Sequence, residues 1–137
     1  MIRLLDDLDD AKENMSWANE ASSPERATQG AARALLMRVL LQRAGYSLQM
    51  DGTMTRPEEE LRQTYFAKVI DEWEAFQENG YHDFYEGGYE ALFKSFSAGE
   101  LHSKESIFEV AFYTVDGRTG ARDIGERTTV RWSQLQE

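Results

Sequence analysis

One apolar stripe constrains the fold of this chain more than any other feature of its sequence. Leu61, Tyr65, Val69, Trp73 and Phe76 follow one another at intervals of four, four, four and three residues. This spacing places the five side chains on one face of an α-helix, whereas the side chains of a strand alternate between two faces. The sequence therefore predicts a long helix that packs this face against a neighbouring element.

Both ends of this helix carry sequence signals. Thr55 and Glu58 match the S/T-x-x-E spacing of a capping box, and Pro57 between them suits a first helical turn. Gly80 follows the last apolar position, where glycine commonly ends a helix. We therefore expect the helix to run from the capping box to Gly80.

Two more helices are predicted before it. Apolar residues at steps of four, three and four predict an amphipathic helix over about residues 2–17. Residues 28–44 predict a second helix, with Gly45 as its C-cap and Thr28 as its N-cap, while Ser23 before Pro24 is the competing start. This second helix carries a face of small residues that allows close approach of a neighbour, and we expect its Leu36 and Val39 to be buried.

The other segments are shorter. Residues 46–57 predict an irregular connection with a turn at Asp51-Gly52. Residues 89–97 predict a short helix. In ESIFEVAFY, apolar and aromatic residues alternate with others, which predicts one strand over about residues 106–113.

The fold class that follows is mainly α: tetratricopeptide-like helical hairpins, then one short β-strand and an irregular tail. The first and third helices are about 56 residues apart, against the ~34 of a regular tetratricopeptide repeat, so the repeat is degenerate. We interpret residues 1–113 as one helical region and residues 114–137 as the tail, which shows no periodicity.

Composition excludes several classes of protein. Among the 137 residues, 25 are acidic and 15 basic, so the net charge is -10. This balance argues against nucleic-acid partners, because binding a phosphate backbone requires clustered positive charge. The sequence has no cysteine, which excludes disulfides, thiolate catalysis and zinc–thiolate sites.

Nothing in the sequence indicates catalysis, a metal or a cofactor. No P-loop, dinucleotide fingerprint or G-x-S-x-G motif occurs. His82 and His102 lack a second ligand at helical spacing, so we expect ordinary loop histidines. With so many acidic residues, pairs arise by chance, and we expect solvated helix faces rather than acid–base catalysts. The pairs considered are formed by Glu58, Glu59, Glu60, Asp71, Glu72 and Glu74.

Aromatic residues, 12% of the chain, are the remaining candidates for ligand contact. An aromatic face carries negative potential and stacks on the C–H groups of sugar rings. Trp17 and Trp73 lie on or next to helices, so we expect them in the core. Tyr113, Arg118 and Trp132 lie beyond the helical pattern and are the candidate ligand-binding residues, while Tyr81 and Tyr85 are intermediate.

Three segments in order resemble one known family. RATQGAARALLMRVLLQRAG is similar to its helix rich in Ala, Leu and Arg that opens on a Thr-x-Gly-Ala pattern. YFAKVIDEWEAFQENGYHDF resembles its next helix, which ends at Gly-Tyr before an aromatic loop. YEALFKSFSAGELHSKESIFEVAFY resembles its short Leu-Phe helix and following strand. Over about residues 1–115 the chain therefore resembles the SusD/RagB family of surface glycan-binding lipoproteins.

The resemblance implies a non-catalytic protein at the outer surface of the outer membrane. It also implies that a bound oligosaccharide or other nutrient is passed to a TonB-dependent, SusC-like transporter. Members of the family begin with a signal peptide and a lipid-modified cysteine, neither of which this sequence contains, so we interpret the chain as an internal fragment. The alternative is a stand-alone tetratricopeptide-like adaptor that binds a protein partner in a groove. An acidic enzyme is the third hypothesis.

Overall fold

The computed structural model describes residues 2–98, 100, 101 and 104–110, and within them the chain is mainly helical. The helices are α1 (Ile2–Asn14), α2 (Gln29–Ala44), α3 (Glu59–Asn79) and α4 (Gly88–Ser97), and the strands are β1 (Ser47–Leu48) and β2 (Met54–Thr55). The predicted class, mainly α with one short β region, is confirmed. The predicted tail, residues 114–137, lies outside the described residues.

The ends of α2 and α3 follow local chemistry. The Thr28 hydroxyl accepts a hydrogen bond from the Ala31 N–H at 3.3 Å, which satisfies one free donor of the first turn of α2. Gly80 ends α3 in the left-handed region at φ 64°, which glycine adopts without steric cost. Both predicted caps are confirmed. The predicted extension of α1 to residue 17 is wrong by three residues, since α1 ends at Asn14.

The predicted capping box at the start of α3 is wrong. Glu58 is the N-cap and its side chain makes no capping hydrogen bond, while Thr55 belongs to β2 and pairs with Ser47 of β1. Pro57 precedes the helix rather than entering its first turn. The turn between the strands lies at Asp51-Gly52, as predicted, but the two-stranded hairpin around it was not predicted.

The strand predicted over residues 106–113 is not found in the part of it that the structure describes. Residues 106–110 are irregular, and the Glu109 N–H donates to the carbonyl of Pro24 at 3.0 Å rather than to a strand. Five residues of alternation are too short to require a strand when a loop offers a backbone acceptor. Residues 111–113 lie outside the described residues, and the β region of this fold is the hairpin of β1 and β2.

The three longest helices pack side by side in an up-down-up arrangement. Asp9 and Lys12 of α1 contact Lys68 and Glu72 of α3 in the same chain order, so α1 and α3 run parallel. Near the other end of α3, Arg62 donates to the carbonyl of Ala44, the last residue of α2, so α2 runs antiparallel to α3. The central helix α2 contacts both neighbours. Within the described residues, no helix has the length and apolar character needed to span a membrane.

The hydrophobic core lies where α2 meets α1 and α3. Leu36 and Leu40 are the largest fully buried side chains, and Leu8 of α1 completes the cluster. The expectation for Leu36 is confirmed. Val39 is partly buried and packs against the same cluster.

A buried ion network joins the same three helices. Glu72, only 3% exposed, accepts hydrogen bonds from Lys12 of α1 and Arg33 of α2. Asp9 contacts Lys12 at 3.0 Å and also binds Lys68 of α3. The expectation that Glu72 lies on a solvated face is therefore wrong. Its carboxylate is buried because two basic side chains form ion pairs with it.

Contacts in this network shift two pKa values. Burial by itself raises the pKa of Asp9, but hydrogen bonds and charge from Lys68 and Lys12 outweigh it and hold the pKa below its ordinary value. Burial by itself lowers the pKa of Lys12, but Glu72 and Asp9 outweigh it and hold the pKa above its ordinary value. Both shifts favour the charged forms, so Asp9 and Lys12 are both ionised at neutral pH.

We expect Leu36→Ala to lower the free energy of unfolding by about 2–5 kcal/mol, because the truncation leaves a cavity at the centre of the core. Urea unfolding followed by circular dichroism measures the loss. The matched control is Leu41→Ala on the same helix, where the side chain is half exposed, and its cost should be under about 1 kcal/mol. Equal costs at the two positions would contradict the central place of α2.

We expect Glu72→Ala to cost about 3–5 kcal/mol, because it leaves two cations partly buried without their carboxylate. Glu90→Ala, which removes one partner of the exposed Glu90–Lys94 pair on α4, is the control and should change stability by less than about 1 kcal/mol. The same unfolding measurement compares the two variants. A loss at Glu72 no larger than the loss at Glu90 would show that the network does not hold the helices together.

Candidate functional site

An aromatic stack forms at the carboxyl end of α3. Trp73 and Phe76 are three residues apart on the helix, and their rings stack with centroids 6.1 Å apart and planes 8° apart. The His82 ring also stacks with Phe76, with centroids 5.4 Å apart and planes 11° apart. Trp17, from the loop between α1 and α2, meets Phe76 edge-on at 6.1 Å. The stack therefore joins α3 to two loops.

Gly80 and the segment after α4 hold the histidine in this position. The left-handed conformation of Gly80 reverses the chain after α3 and returns His82 to the ring of Phe76. His82 Nδ1 lies 3.0 Å from the carbonyl oxygen of Lys104, and because that oxygen only accepts, Nδ1 is the donor. The Asp83 N–H donates to the same oxygen at 3.2 Å. The loop after α3 is thus tied to residues 104 and 105.

Behind the stack, His82 Nε2 is buried against α2. A Cβ atom placed on Gly30 would lie 3.3 Å from Nε2 and 3.3 Å from the ring of Phe76. Nε2 has no hydrogen-bond partner among the described residues. The absence of a side chain at Gly30 is what allows the stack to sit directly on α2.

In front of the stack lies an open cleft of about 340 Å³, called here the aromatic cleft. Trp73 is 50% exposed and Phe84 is 87% exposed, so both offer apolar surface to solvent. Polar groups surround these rings. The cleft is lined by Trp73, Phe76, Gln77, Gly80, His82, Asp83, Phe84, Lys104, Glu105 and Ile107.

The aromatic cleft combines the two features that a sugar requires. Exposed aromatic rings present a negative face to C–H groups. The Gln77 amide, the Asp83 carboxylate and the Lys104 ammonium provide donors and acceptors that can orient hydroxyl groups. Within the described part of the chain, no three His, Cys, Asp or Glu side chains are grouped to hold a metal ion.

The described residues form further concave surfaces. A second cavity of about 440 Å³ adjoins the aromatic cleft and includes Tyr81, Tyr85 and Glu86 in its lining. A third, called here the apolar groove, has a volume of about 420 Å³ and lies between α1 and α2. It is lined by Leu8, Ala11, Met15, Ala27, Ala31, Ala32, Ala34, Leu35, Arg38, Ile107 and Phe108.

The structure describes only some of the aromatic residues that the sequence offered as ligand contacts. Tyr113, Arg118 and Trp132 lie outside the described residues and stay predictions. Tyr81 and Tyr85 line the second cavity.

Trp73 was expected in the core, and this expectation is wrong because half of its surface faces the cleft. A signal for the cleft was present in the sequence: the segment YHDFY follows Gly80 directly and places aromatic residues just beyond the end of α3.

We expect Gly30→Ala to destabilise the protein by about 1–3 kcal/mol, because the added methyl group overpacks the contact of α2 with His82 and Phe76. Helix propensity alone would favour alanine by up to about 1 kcal/mol, so the sign of the change is diagnostic. Gly45→Ala is the control, since its methyl group would lie 3.4 Å from its nearest neighbour, the Gln42 carbonyl oxygen, which is an ordinary van der Waals contact. This variant should not show the overpacking cost. Thermal unfolding measures both variants, and a stabilised Gly30→Ala variant would contradict the close approach.

The functional assignment depends on this geometry and on the residues quoted from the sequence. Comparison of the chain with family models, curated proteins and solved structures finds no match. The resemblance to the SusD/RagB family therefore stays a prediction from those three segments. The aromatic cleft is a structural feature that indicates a function independently of this resemblance.

Proposed function

We propose that this chain is the glycan- or nutrient-binding part of an outer-membrane uptake system that works with a TonB-dependent, SusC-like transporter, without catalysis. The observation that carries the binding role is the half-exposed indole of Trp73 beside the exposed ring of Phe84, at the edge of a cleft with polar groups. Exposed aromatic surface next to hydrogen-bonding groups suits the mixed apolar and polar faces of a sugar.

The position of Trp73 supports a binding role over a purely structural one. Its neighbour in the stack, Phe76, is partly buried and also contacts the rings of Trp17 and His82. The packing thus holds the indole of Trp73 at a defined angle while leaving part of its surface open. A rigid exposed ring loses little conformational entropy when a ligand stacks on it.

The uptake role and the partner come from the resemblance of the three quoted segments to the SusD/RagB family. The same resemblance supports the location at the outer surface of the outer membrane and the absence of catalysis. The side-by-side packing of α1, α2 and α3 fits the helical scaffold that the resemblance implies.

A second candidate function is an adaptor that binds a protein segment, and the apolar groove between α1 and α2 favours it. In the part of the chain that the structure describes, this groove is lined almost entirely by apolar side chains, with Arg38 as its one cation. An amphipathic helix would suit such a groove. Binding of a protein partner that is lost in Leu35→Asp but retained in Trp73→Ala would support this alternative.

We expect weak binding of oligosaccharides to the full chain, with a Kd on the order of 1 mM, or about -4 kcal/mol. Trp73→Ala should weaken binding about tenfold, since stacking on an aromatic ring contributes up to about 1.5 kcal/mol. Titration calorimetry against neutral hexasaccharides measures the affinity, and chromatography of the same mixtures tests for hydrolysis.

Tyr89→Ala is the matched control, because Tyr89 is an exposed aromatic residue of α4 that does not line the aromatic cleft. It should bind as the unmodified chain does. Loss of binding in Trp132→Ala with no change in Trp73→Ala would move the site to the tail. Hydrolysis of any glycan would contradict a purely binding role.

A further inference from the structure

The aromatic cleft continues into the second cavity, so the two form one extended surface. Their volumes are about 340 and 440 Å³. Both cavities are lined by Gly80, Asp83, Phe84, Lys104 and Glu105. A ligand longer than one sugar ring can therefore contact both, with the exposed ring of Phe84 between them.

Charge on this extended surface is mostly negative. Among the described residues, four carboxylates line the second cavity, against one ammonium group. The four are Glu20, Asp83, Glu86 and Glu105. The ammonium of Lys104 lies 3.3 Å from the carboxylate of Glu20, so this pair offsets one carboxylate and leaves Asp83, Glu86 and Glu105 without an ion pair among the described residues.

Local contacts leave one of these carboxylates fully available. Glu105 accepts a hydrogen bond from the Tyr85 N–H, and Asp83 accepts one from the Phe84 N–H at 2.7 Å. Glu86 is exposed and makes no hydrogen bond or ion pair with any residue that the structure describes. Its negative charge at the edge of the second cavity is therefore not paired with any described residue.

We infer that the extended surface selects neutral or amino-bearing oligosaccharides and rejects anionic ones such as uronic-acid or sulfated glycans. This inference rests on the proposed glycan-binding function. An anionic ring placed in the second cavity would meet Asp83, Glu86 and Glu105, which form no ion pair with a described residue, within a protein whose net charge is -10. Like charges held at close range oppose binding and lower the association rate. A neutral ring keeps the aromatic contacts and the hydrogen bonds without this repulsion.

The test uses pairs of glycans that differ only in the group at C6, which is a neutral hydroxymethyl group in one member and a carboxylate in the other. The probes are maltohexaose, cellohexaose, β-1,4-mannohexaose and β-1,4-galactohexaose, each compared with its C6-oxidised form, which carries a carboxylate on every ring. Titration calorimetry with the full chain at low ionic strength gives each affinity. We expect the neutral member of any binding pair to bind at least about tenfold more tightly. In about 1 M salt, where the Debye length is about 3 Å, this ratio should fall to about threefold or less.

Charge reversal at Glu86 separates electrostatic rejection from a simple steric clash with the added carboxylate. Glu86→Lys should reduce the ratio between neutral and oxidised glycans at least threefold. Glu60→Lys makes the same change of charge near the start of α3, about 20 Å along the helix from Trp73, and should leave the ratio unchanged.

The outcomes distinguish this inference from the proposed function. If oxidised glycans bind as tightly as neutral ones, or if the preference is insensitive to salt and to Glu86→Lys, the charge selection is wrong while glycan binding stands. If no probe of either kind binds, the proposed function fails and the selection fails with it. A salt-dependent preference for neutral glycans that Glu86→Lys weakens supports both.

Discussion

The carboxylate of Glu72 is the contact on which the arrangement of the helices depends. It lies at the junction of α1, α2 and α3 and accepts hydrogen bonds from Lys12 and Arg33. Ionised side chains are costly to bury, so these three groups are stable together but not separately. Apolar packing around Leu36 tolerates small shifts of one helix along another, whereas a charged pair in the interior requires a specific pairing. The network therefore specifies the register in which the helices meet.

That register also determines where the aromatic cleft opens. Successive residues on a helix differ by about 100° in direction, so burying Glu72 turns the next residue, Trp73, toward the edge of the buried face. Phe76 lies four residues after Glu72, on the same face of α3, and its ring contacts Trp17. The half-exposed indole is thus a consequence of the ion network as well as of its own packing.

Sequence periodicity predicted the helices well, because long apolar stripes at helical spacing have few alternative structures. It failed at features that depend on distant residues. Glu72 lies within an acidic helix, so its sequence context predicts a solvated side chain. Its cationic partners, Arg33 and Lys12, are 39 and 60 residues away in the sequence. The alternation in residues 106–113 predicted a strand, but alternation does not specify a pairing partner, and Glu109 bonds the Pro24 carbonyl instead. Hairpin strands of two residues carry no periodicity to detect.

The candidate site was hard to predict for the same reason. Its parts come from the end of α3, the loop after Gly80 and residues 104–107, and none of these segments alone resembles a binding site. They meet because Lys104 accepts hydrogen bonds from His82 and Asp83, and because α2 carries no side chain at Gly30 where the histidine packs. The inner wall of the cleft is consequently fixed by close packing, whereas Phe84 at its outer edge is free of such packing. The backbone on both sides of Phe84 is hydrogen-bonded, since the Asp83 N–H donates to the Lys104 carbonyl and the Tyr85 N–H donates to the Glu105 carboxylate. These contacts fix the place on the edge of the cleft at which the exposed ring of Phe84 lies.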